Sequence, residues 1–425
     1  MQNKSKTFGY GSPEANLTDA ELSTIVEESL QSATAGSRVL AIIPDKTRDD
    51  NTDVLFPAAA RILAQKGAGK FDALVAQGTH APMTEAQKLA KIGVSSKREI
   101  PNLGNIFDHK WNCPEALTKI GEICAEKVGE ISGGLINHAV SLTINKLLTP
   151  ENYDVILIFG ATVPHEVAGF AGGAKYFFPG VSGAELTHAT HWLGALAGIE
   201  NVIGRIETPT RRLIETAADF IEPQIINFTS VVTRDENNCL QTHALFAGDF
   251  RASFRKAAEI SQKVHIKYTG RKFKRVVALL DKHYEELWVG GKASYKLGGI
   301  IEEAGELIIY APHLRCISDT HGAMIERFGY APLEKIKEWL AESGELQANL
   351  CVAAHLAHVA FAGKFVDKFA SRFQITLASQ IDAKTCRRLN LNYLDYRNFQ
   401  RENYENEDDT LVVENAGRDL YLVKP

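Results

Sequence analysis

VILIFGATVPHEVAGFAGGAKYFFPGVSG, residues 155–183, opens with the five apolar residues Val155 to Phe159 and turns into a run, Pro164 to Gly183, that holds five glycines. A short apolar run bounded in this way reads as a buried strand of a parallel sheet. A helical stretch begins near Ala184, so the glycine-rich run belongs at the C-terminal end of a strand. Open α/β sheets bind ligands at that end, and glycines let backbone amides come close to a phosphate or a planar cofactor. The run is not a Walker A element, which needs Gly-Lys followed by Ser or Thr, because Ala174 precedes Lys175 and Tyr176 follows it. ATP hydrolysis is therefore not expected. On an apolar-flanked loop, desolvation lowers the pKa of a lysine and makes its amine a nucleophile able to form a covalent link. The alternative for Lys175 is a solvated surface lysine.

Outward from this stretch, short apolar runs alternate with longer amphipathic ones. Val39 to Ile43, Ala73 to Ala76, Ile225 to Val232, Val276 to Leu280 and Leu307 to Tyr310 read as further buried strands. Asp53 to Gln65, Thr84 to Lys91, Phe254 to Lys263, Leu333 to Glu342 and Leu346 to Phe361 carry helical periodicity, with Thr84 and Gln87 spaced as a cap. Strands alternating with helices give an α/β class. The basic stretch Lys267 to Lys274 suits a surface connection, which predicts two α/β domains, 1–268 and 269–425, with the active site in the cleft between them. The charge run Arg401 to Asp409 reads as a solvated loop before a last strand, Leu411 to Val413.

The chain has 425 residues, enough for two or three domains of the usual ~100–200 residues each. Its 47 basic and 52 acidic side chains leave a net charge of −5, which argues against nucleic acid and membrane surfaces as partners and for small molecules. The cysteines at 113, 124, 239, 316, 351 and 386 form no CxxC pair and fit neither a zinc knuckle nor a disulfide framework. MQNKSKTFGYGSPEANL holds no apolar h-region, and a cytoplasmic location is expected.

Several residues could carry chemistry at strand ends. His165 opens the glycine-rich loop, and His188 and His191 follow it at a spacing that puts two imidazoles on one helical face. They could be ligands of Zn, Cu, Fe or Ni if a cofactor supplied the remaining ligands, or hydrogen-bonded structural histidines. Asp45 and Arg48 follow the first strand, and Arg48 is suited to bind a carboxylate bidentately while Asp45 anchors a hydroxyl or orients the arginine. Singly, such residues are usually a surface ion pair. His80 follows a third strand, and two histidines, His80 and His165, could exchange protons on opposite sides of one substrate carbon.

FGYG at Phe8 to Gly11, DKTR at Asp45 to Arg48, GTH at Gly78 to His80, DHK at Asp108 to Lys110 and the long block from Pro164 to His191 together resemble the nickel-pincer lactate racemases and their 2-hydroxyacid racemase and epimerase relatives. The resemblance covers most of the N-terminal two thirds and is carried above all by His165, Lys175 and His191. It implies a cofactor, the nickel-pincer nucleotide pyridinium-3-thioamide-5-thiocarboxylic acid mononucleotide with Ni, made by dedicated maturation enzymes and tethered to Lys175, with Gly172 and Gly173 beside it. His191 would complete the nickel's coordination. By the same resemblance His80 and His165 are the acid/base pair, Arg48 binds the carboxylate of a 2-hydroxy acid with Asp45 at the same corner, and C2 is inverted by reversible hydride transfer through a 2-keto acid.

The C-terminal part departs from the pattern. Where lactate-active members carry Tyr-Gln and a lysine three positions on, Tyr295 is followed by Lys296, and Gly299 stands where the lysine is expected. Tyr295 and Lys296 are the candidate substrate contacts, Lys292 or Lys296 could replace the missing cation, and a sugar acid or a dicarboxylate becomes a possible substrate. The other readings are a non-catalytic nickel or pincer-nucleotide binding protein and a zinc-dependent hydrolase or lyase using His188 and His191.

Overall fold

The structure is a computed structural model that describes residues 6–31, 35–361 and 371–424. Its contacts divide the chain into two compact units, Met1–Thr190 with Ile206–Val264 and His191–Arg205 with His265–Pro425. The division thus falls at Val264/His265, against 268/269 in the sequence reading, and assigns His191–Arg205 to the second unit. No helix among the described residues is long and apolar enough to cross a membrane.

The first unit is built on a seven-stranded sheet in the order Phe8–Gly11, Leu240–Gly248, Gln224–Arg234, Val155–Ala161, Arg38–Pro44, Lys70–Ala76, Leu103–Asp108. The last five run parallel, and the first two pair antiparallel at the edge. Every residue of Val155–Ala161 is buried, as expected of a strand covered on both faces. From Arg38–Pro44 the chain proceeds outward to Lys70–Ala76 and Leu103–Asp108, then returns to lay Val155–Ala161 on the opposite side. The strand order therefore reverses between Arg38–Pro44 and Val155–Ala161, and open α/β sheets bind ligands beyond the C-terminal ends of strands at such a point. One face of the sheet is held by Phe56, Phe71, Phe159 and Phe228, with Phe56 and Phe71 4.9 Å apart and Phe159 stacked on Phe228 at 5.1 Å. The helix Glu85–Lys91 starts at Thr84, whose side chain and that of Gln87 form the expected reciprocal cap. FGYG is an edge strand, where a Cβ on Gly9 would fall 2.1 Å from the Leu245 carbonyl oxygen.

The second unit holds a five-stranded parallel sheet in the order Asn392–Tyr393, Gln374–Ser379, Ile301–Ala311, Phe273–Leu279, Thr410–Val413. Two expectations change here. The stretch read as one helix from Leu346 to Phe361 is two, Gly344–Gln347 and Leu350–Val359, because Ser343 caps the first and the non-helical backbone of Asn349, φ −134° and ψ 53°, interrupts the run. Lys267 to Lys274 is not a plain connection either. Ile266–Thr269 pairs with Leu420–Val423 as a narrow ribbon that leaves Tyr268 exposed, so polar residues there mark an edge.

Candidate active site

Asp45 follows the last residue of the strand Arg38–Pro44 and is buried. The amide and hydroxyl of Thr47 both donate to its Oδ1, at 2.8 and 2.5 Å. Its Oδ2 lies 2.9 Å from Nδ1 of His80. Burial pulls this carboxyl upward, but His80, Arg48 and Thr47 outweigh it and hold the group well below the usual carboxylate range. An ionised carboxylate only accepts, so Nδ1 of His80 carries a proton, and in the neutral ring the lone pair is then on Nε2. Asp45 therefore stands behind His80 with one oxygen on Thr47 and the other on His80, and the charge of Arg48 reaches it as well.

The loops around these residues are braced. Lys91 donates to the Arg48 carbonyl at 2.8 Å and to Asp50 at 2.6 Å, which fixes the backbone that carries Arg48. His80 sits in a turn closed by its own amide on the Gln77 carbonyl at 2.9 Å, and the Gly78 amide donates to the Gly180 carbonyl at 3.0 Å. The His80 loop is thereby tied to the lysine loop. His109, from the DHK motif, is structural: its Nε2 donates to the Ser182 carbonyl at 2.9 Å, Asn145 lies 3.3 Å from Nδ1, and burial pushes its pKa down to about 4.

His165 lies just past the end of Val155–Ala161, and its Nδ1 has two partners that require opposite protonation states. The Val167 amide donates to it at 3.1 Å, which needs a bare nitrogen, while Glu166 Oε2 lies 3.3 Å away, which needs an N–H. Both rings thus have a carboxylate at Nδ1, Asp45 for His80 and Glu166 for His165.

Lys175 lies in the short helical turn Gly173–Tyr176, and it is half-buried by exposed area. Desolvation first, then the cations of Arg48 and Arg211, lower its amine to about 7, with Glu166 and Asp45 opposing. The turn is set by backbone that excludes side chains. Gly172 has φ +96°, and a Cβ on it would meet Thr162 Oγ1 at 2.3 Å. Arg211, fully buried, donates to the carbonyls of Gly172, at 3.1 Å, and Phe170, and its guanidinium lies 3.9 Å from the centre of the Phe254 ring. Tyr176 turns back to accept the Ala161 amide at 3.2 Å. The structure therefore brings Asp45, Arg48, His80, His165 and Lys175 to loops at one end of one sheet. It adds Glu166, Arg211 and Lys91, of which only the charge of Glu166 next to His165 was visible as a signal.

The second unit holds His191, Tyr295 and Lys296. His188 and His191 share the helix Ala184–Ala197, whose length is divided between the units at Thr190/His191. Among the described residues the only trio of metal-ligating side chains within 4.8 Å of one another is Glu286, Cys316 and Asp319, so His188 and His191 have no third protein ligand of the kind a zinc hydrolase uses. Lys296 is buried and its amine donates to the Arg418 carbonyl at 2.6 Å, which makes it a strut for the chain before Leu420–Val423. Lys292 lies over the Tyr284 ring at 5.9 Å. At Gly299 a Cβ would stand 3.2 Å from both Leu422 Cδ2 and the Tyr421 carbonyl oxygen, so that strand closes the position where a lysine was expected. Tyr295 is buried, its ring edge-on to His358 at 6.4 Å.

A crystal structure of a protein from Thermotoga maritima is similar to this chain, with 30% identity over 98% of this chain and 100% of that one, and a TM-score of 0.89. Residues 11–201 match the family described as lactate racemase N-terminal domain, a span that includes Asp45, Arg48, His80, His165, Lys175 and His191. The chain belongs to the lactate racemase-like family. No curated protein matches its sequence. The lactate racemase apoprotein from Thermoanaerobacterium thermosaccharolyticum shares the α/β fold of this lactate racemase-like chain, with a TM-score of 0.70 and 16% identity over 99% of this chain and 100% of that one.

Proposed function

We propose that this lactate racemase-like protein is an isomerase that inverts C2 of a 2-hydroxy acid, a racemase or epimerase that uses a lysine-tethered nickel-pincer nucleotide. The observation that carries the proposal is the carboxylate behind each of two imidazoles. Inversion needs a base for the C2 hydroxyl in either enantiomeric pose, because one fixed ring cannot reach that oxygen equally well in both. His80, with Nδ1–H held by Asp45, offers Nε2 as base, and the imidazolium formed on proton uptake is stabilised by that same carboxylate. His165 does the same with Glu166 when Nδ1 is protonated, and reverts to the Val167 amide when it is not. Arg48 supplies the planar cation for the substrate carboxylate.

The lysine loop fits the tether. An amine lowered to about 7 is substantially uncharged at neutral pH, which is the form that acylates to an amide or thioamide. Lys175 would hold the group on a turn whose Gly172 and Gly173 let the backbone pack close to Thr162 and Phe254, and His191 would be the protein's nickel ligand. When bound, the group supplies a reversible hydride acceptor.

The test uses protein from a host that makes the cofactor. An intact-mass adduct is expected, and it is lost in Lys175→Ala. Loss of optical rotation in a 2-hydroxy acid is expected for the wild type and abolished in His80→Ala and in His165→Ala, with the adduct retained. Full activity in either histidine variant removes the two-base mechanism.

A further inference from the structure

Two cations of the first unit are withdrawn from solvent on one short helix. The cap formed by Thr84 and Gln87 fixes where Glu85–Lys91 begins, and so puts Lys88 and Lys91, three positions apart, on one face. Lysines on a seven-residue helix are ordinarily solvated, but these side chains are only 9% and 11% exposed. Each ammonium is engaged at a different strand end. Lys88 pairs with Asp108, the aspartate of DHK, and ties the helix to the end of Leu103–Asp108. Lys91 reaches the loop after Arg38–Pro44, where it donates to the Arg48 carbonyl at 2.8 Å and to Asp50 Oδ2 at 2.6 Å. The Asp50 side chain is 1% exposed, and its Oδ1 accepts the amide of Thr52, which opens the helix Thr52–Gln65. Just beyond Lys91, Gly93 packs so closely that a Cβ would stand 2.2 Å from the Asp53 carbonyl oxygen.

The same segment carries His80 four residues before Thr84, with the buried Met83 between them. Residues 78–93 therefore hold the loop 45–53 at two places, His80 on Asp45 at 2.9 Å and Lys91 on Arg48 and Asp50. Arg48 lies between the two attachments. A buried ion pair is a poor device for stability alone, because packed apolar side chains of similar volume do as well or better. What Lys91 adds is a directed donor on the main chain of Arg48, locked in place by Asp50. A guanidinium that must meet a carboxylate bidentately gains from such a lock, since a misplacement of ~1 Å costs on the order of a hundredfold in rate.

We infer that Lys91 is a positioning residue, which through the Arg48 carbonyl and Asp50 holds the Arg48 guanidinium where the substrate carboxylate binds, at a fixed spacing from His80. The part played by that carboxylate rests on the racemase or epimerase reading; the placement of Arg48 does not. The test variant is Lys91→Met/Asp50→Asn, which cuts the link, leaves the net charge unchanged and strands no buried carboxylate, with Lys91→Arg as the conservative change. In cofactor-loaded protein, KM for whichever of lactate, malate and gluconate is racemised or epimerised is expected to rise about tenfold in the double variant, with kcat within about threefold, and to stay near wild type in Lys91→Arg. In unloaded protein, the pH profile of Lys175 acylation reads the position of Arg48 without turnover, since Arg48 is one of the cations that lower that amine. Its midpoint is expected to move up in the double variant, about halfway or more to its value in Arg48→Met, and to stay near that of the wild type in Lys91→Arg. A merely structural role would lower the melting temperature and leave both KM and the midpoint unmoved, which overturns the inference, as does a Lys91→Arg protein impaired as much as the double variant. If the double variant does not fold, Lys91→Met alone is read by the same two measurements. If no 2-hydroxy acid is turned over, the racemase reading falls and the Lys175 profile still decides.

Discussion

Asp45 shows how one side chain decides what its neighbour can do. Its carboxylate fixes the tautomer of His80, and Asn at this position would turn its amide to Nδ1 and place the proton on the wrong nitrogen. Asp45→Asn is expected to lower kcat on the order of a hundredfold or more with the cofactor adduct intact, measured as racemisation rate against adduct mass. Lys175 makes a second residue-level prediction, with a sign that follows from its environment. Burial and two nearby arginines disfavour the ammonium, so the amine loses its proton near pH 7 rather than 10.5. In unloaded protein, the rate of Lys175 modification by an amine-reactive reagent, followed by peptide mass mapping, should climb as pH rises through about 7 and level off above it. A midpoint near 10 would contradict the desolvated setting. The residue types at these positions were legible in the sequence because strand ends could be recognised. The pairing of Asp45 with His80 was not, since thirty-five positions separate them and only folding brings the two loops together.

At the scale of elements, the lysine turn is held from below by an arginine that no local pattern marks. Arg211 belongs to the first turn of the helix Pro209–Ala218 and its planar fork satisfies two carbonyls of the glycine-rich loop while stacking on Phe254. Arg211→Met keeps much of the volume and leaves those carbonyls unsatisfied, at a cost of about 1–3 kcal/mol in unfolding free energy. It also removes one of the cations that depress Lys175, so the midpoint of the modification profile should move upward. Denaturant titration and the same pH series check both halves. Strands read from apolar runs agree with the structure to within a few residues at most ends, because burial on both faces leaves continuous hydrophobic sequence. The antiparallel pair Phe8–Gly11 and Leu240–Gly248 lacks that signature, and the glycines of the first read as a motif without revealing that close backbone packing requires them.

For the whole molecule, the thiols offer a direct probe of packing. Cys124 and Cys239 are exposed, whereas Cys351 and Cys386 are buried, with burial pushing their thiols up to about 12 and about 11. Alkylation of the native protein should label the first pair and spare the second until denaturant is added, as read by peptide mapping; labelling of Cys351 at native conditions would contradict the tight second core. The division into units was only partly legible. A linker composition suggested where the chain crosses, but two of the three crossings lie inside the helices Ala184–Ala197 and Phe250–His265, and the third, at Arg205/Ile206, lies between the helices Ile199–Val202 and Pro209–Ala218. One feature of the first unit reaches beyond any single variant. The strap from the Gly78 amide to the Gly180 carbonyl joins the His80 turn to the Lys175 loop through main chain alone. Alanine scanning leaves such a link in place, and only proline deletes the N–H, a residue that the φ of +55° at Gly78 forbids. Coupling of the His80 and Lys175 loops through this link is thus invisible to conventional mutagenesis, and detecting it calls for an amide-to-ester exchange in the backbone itself.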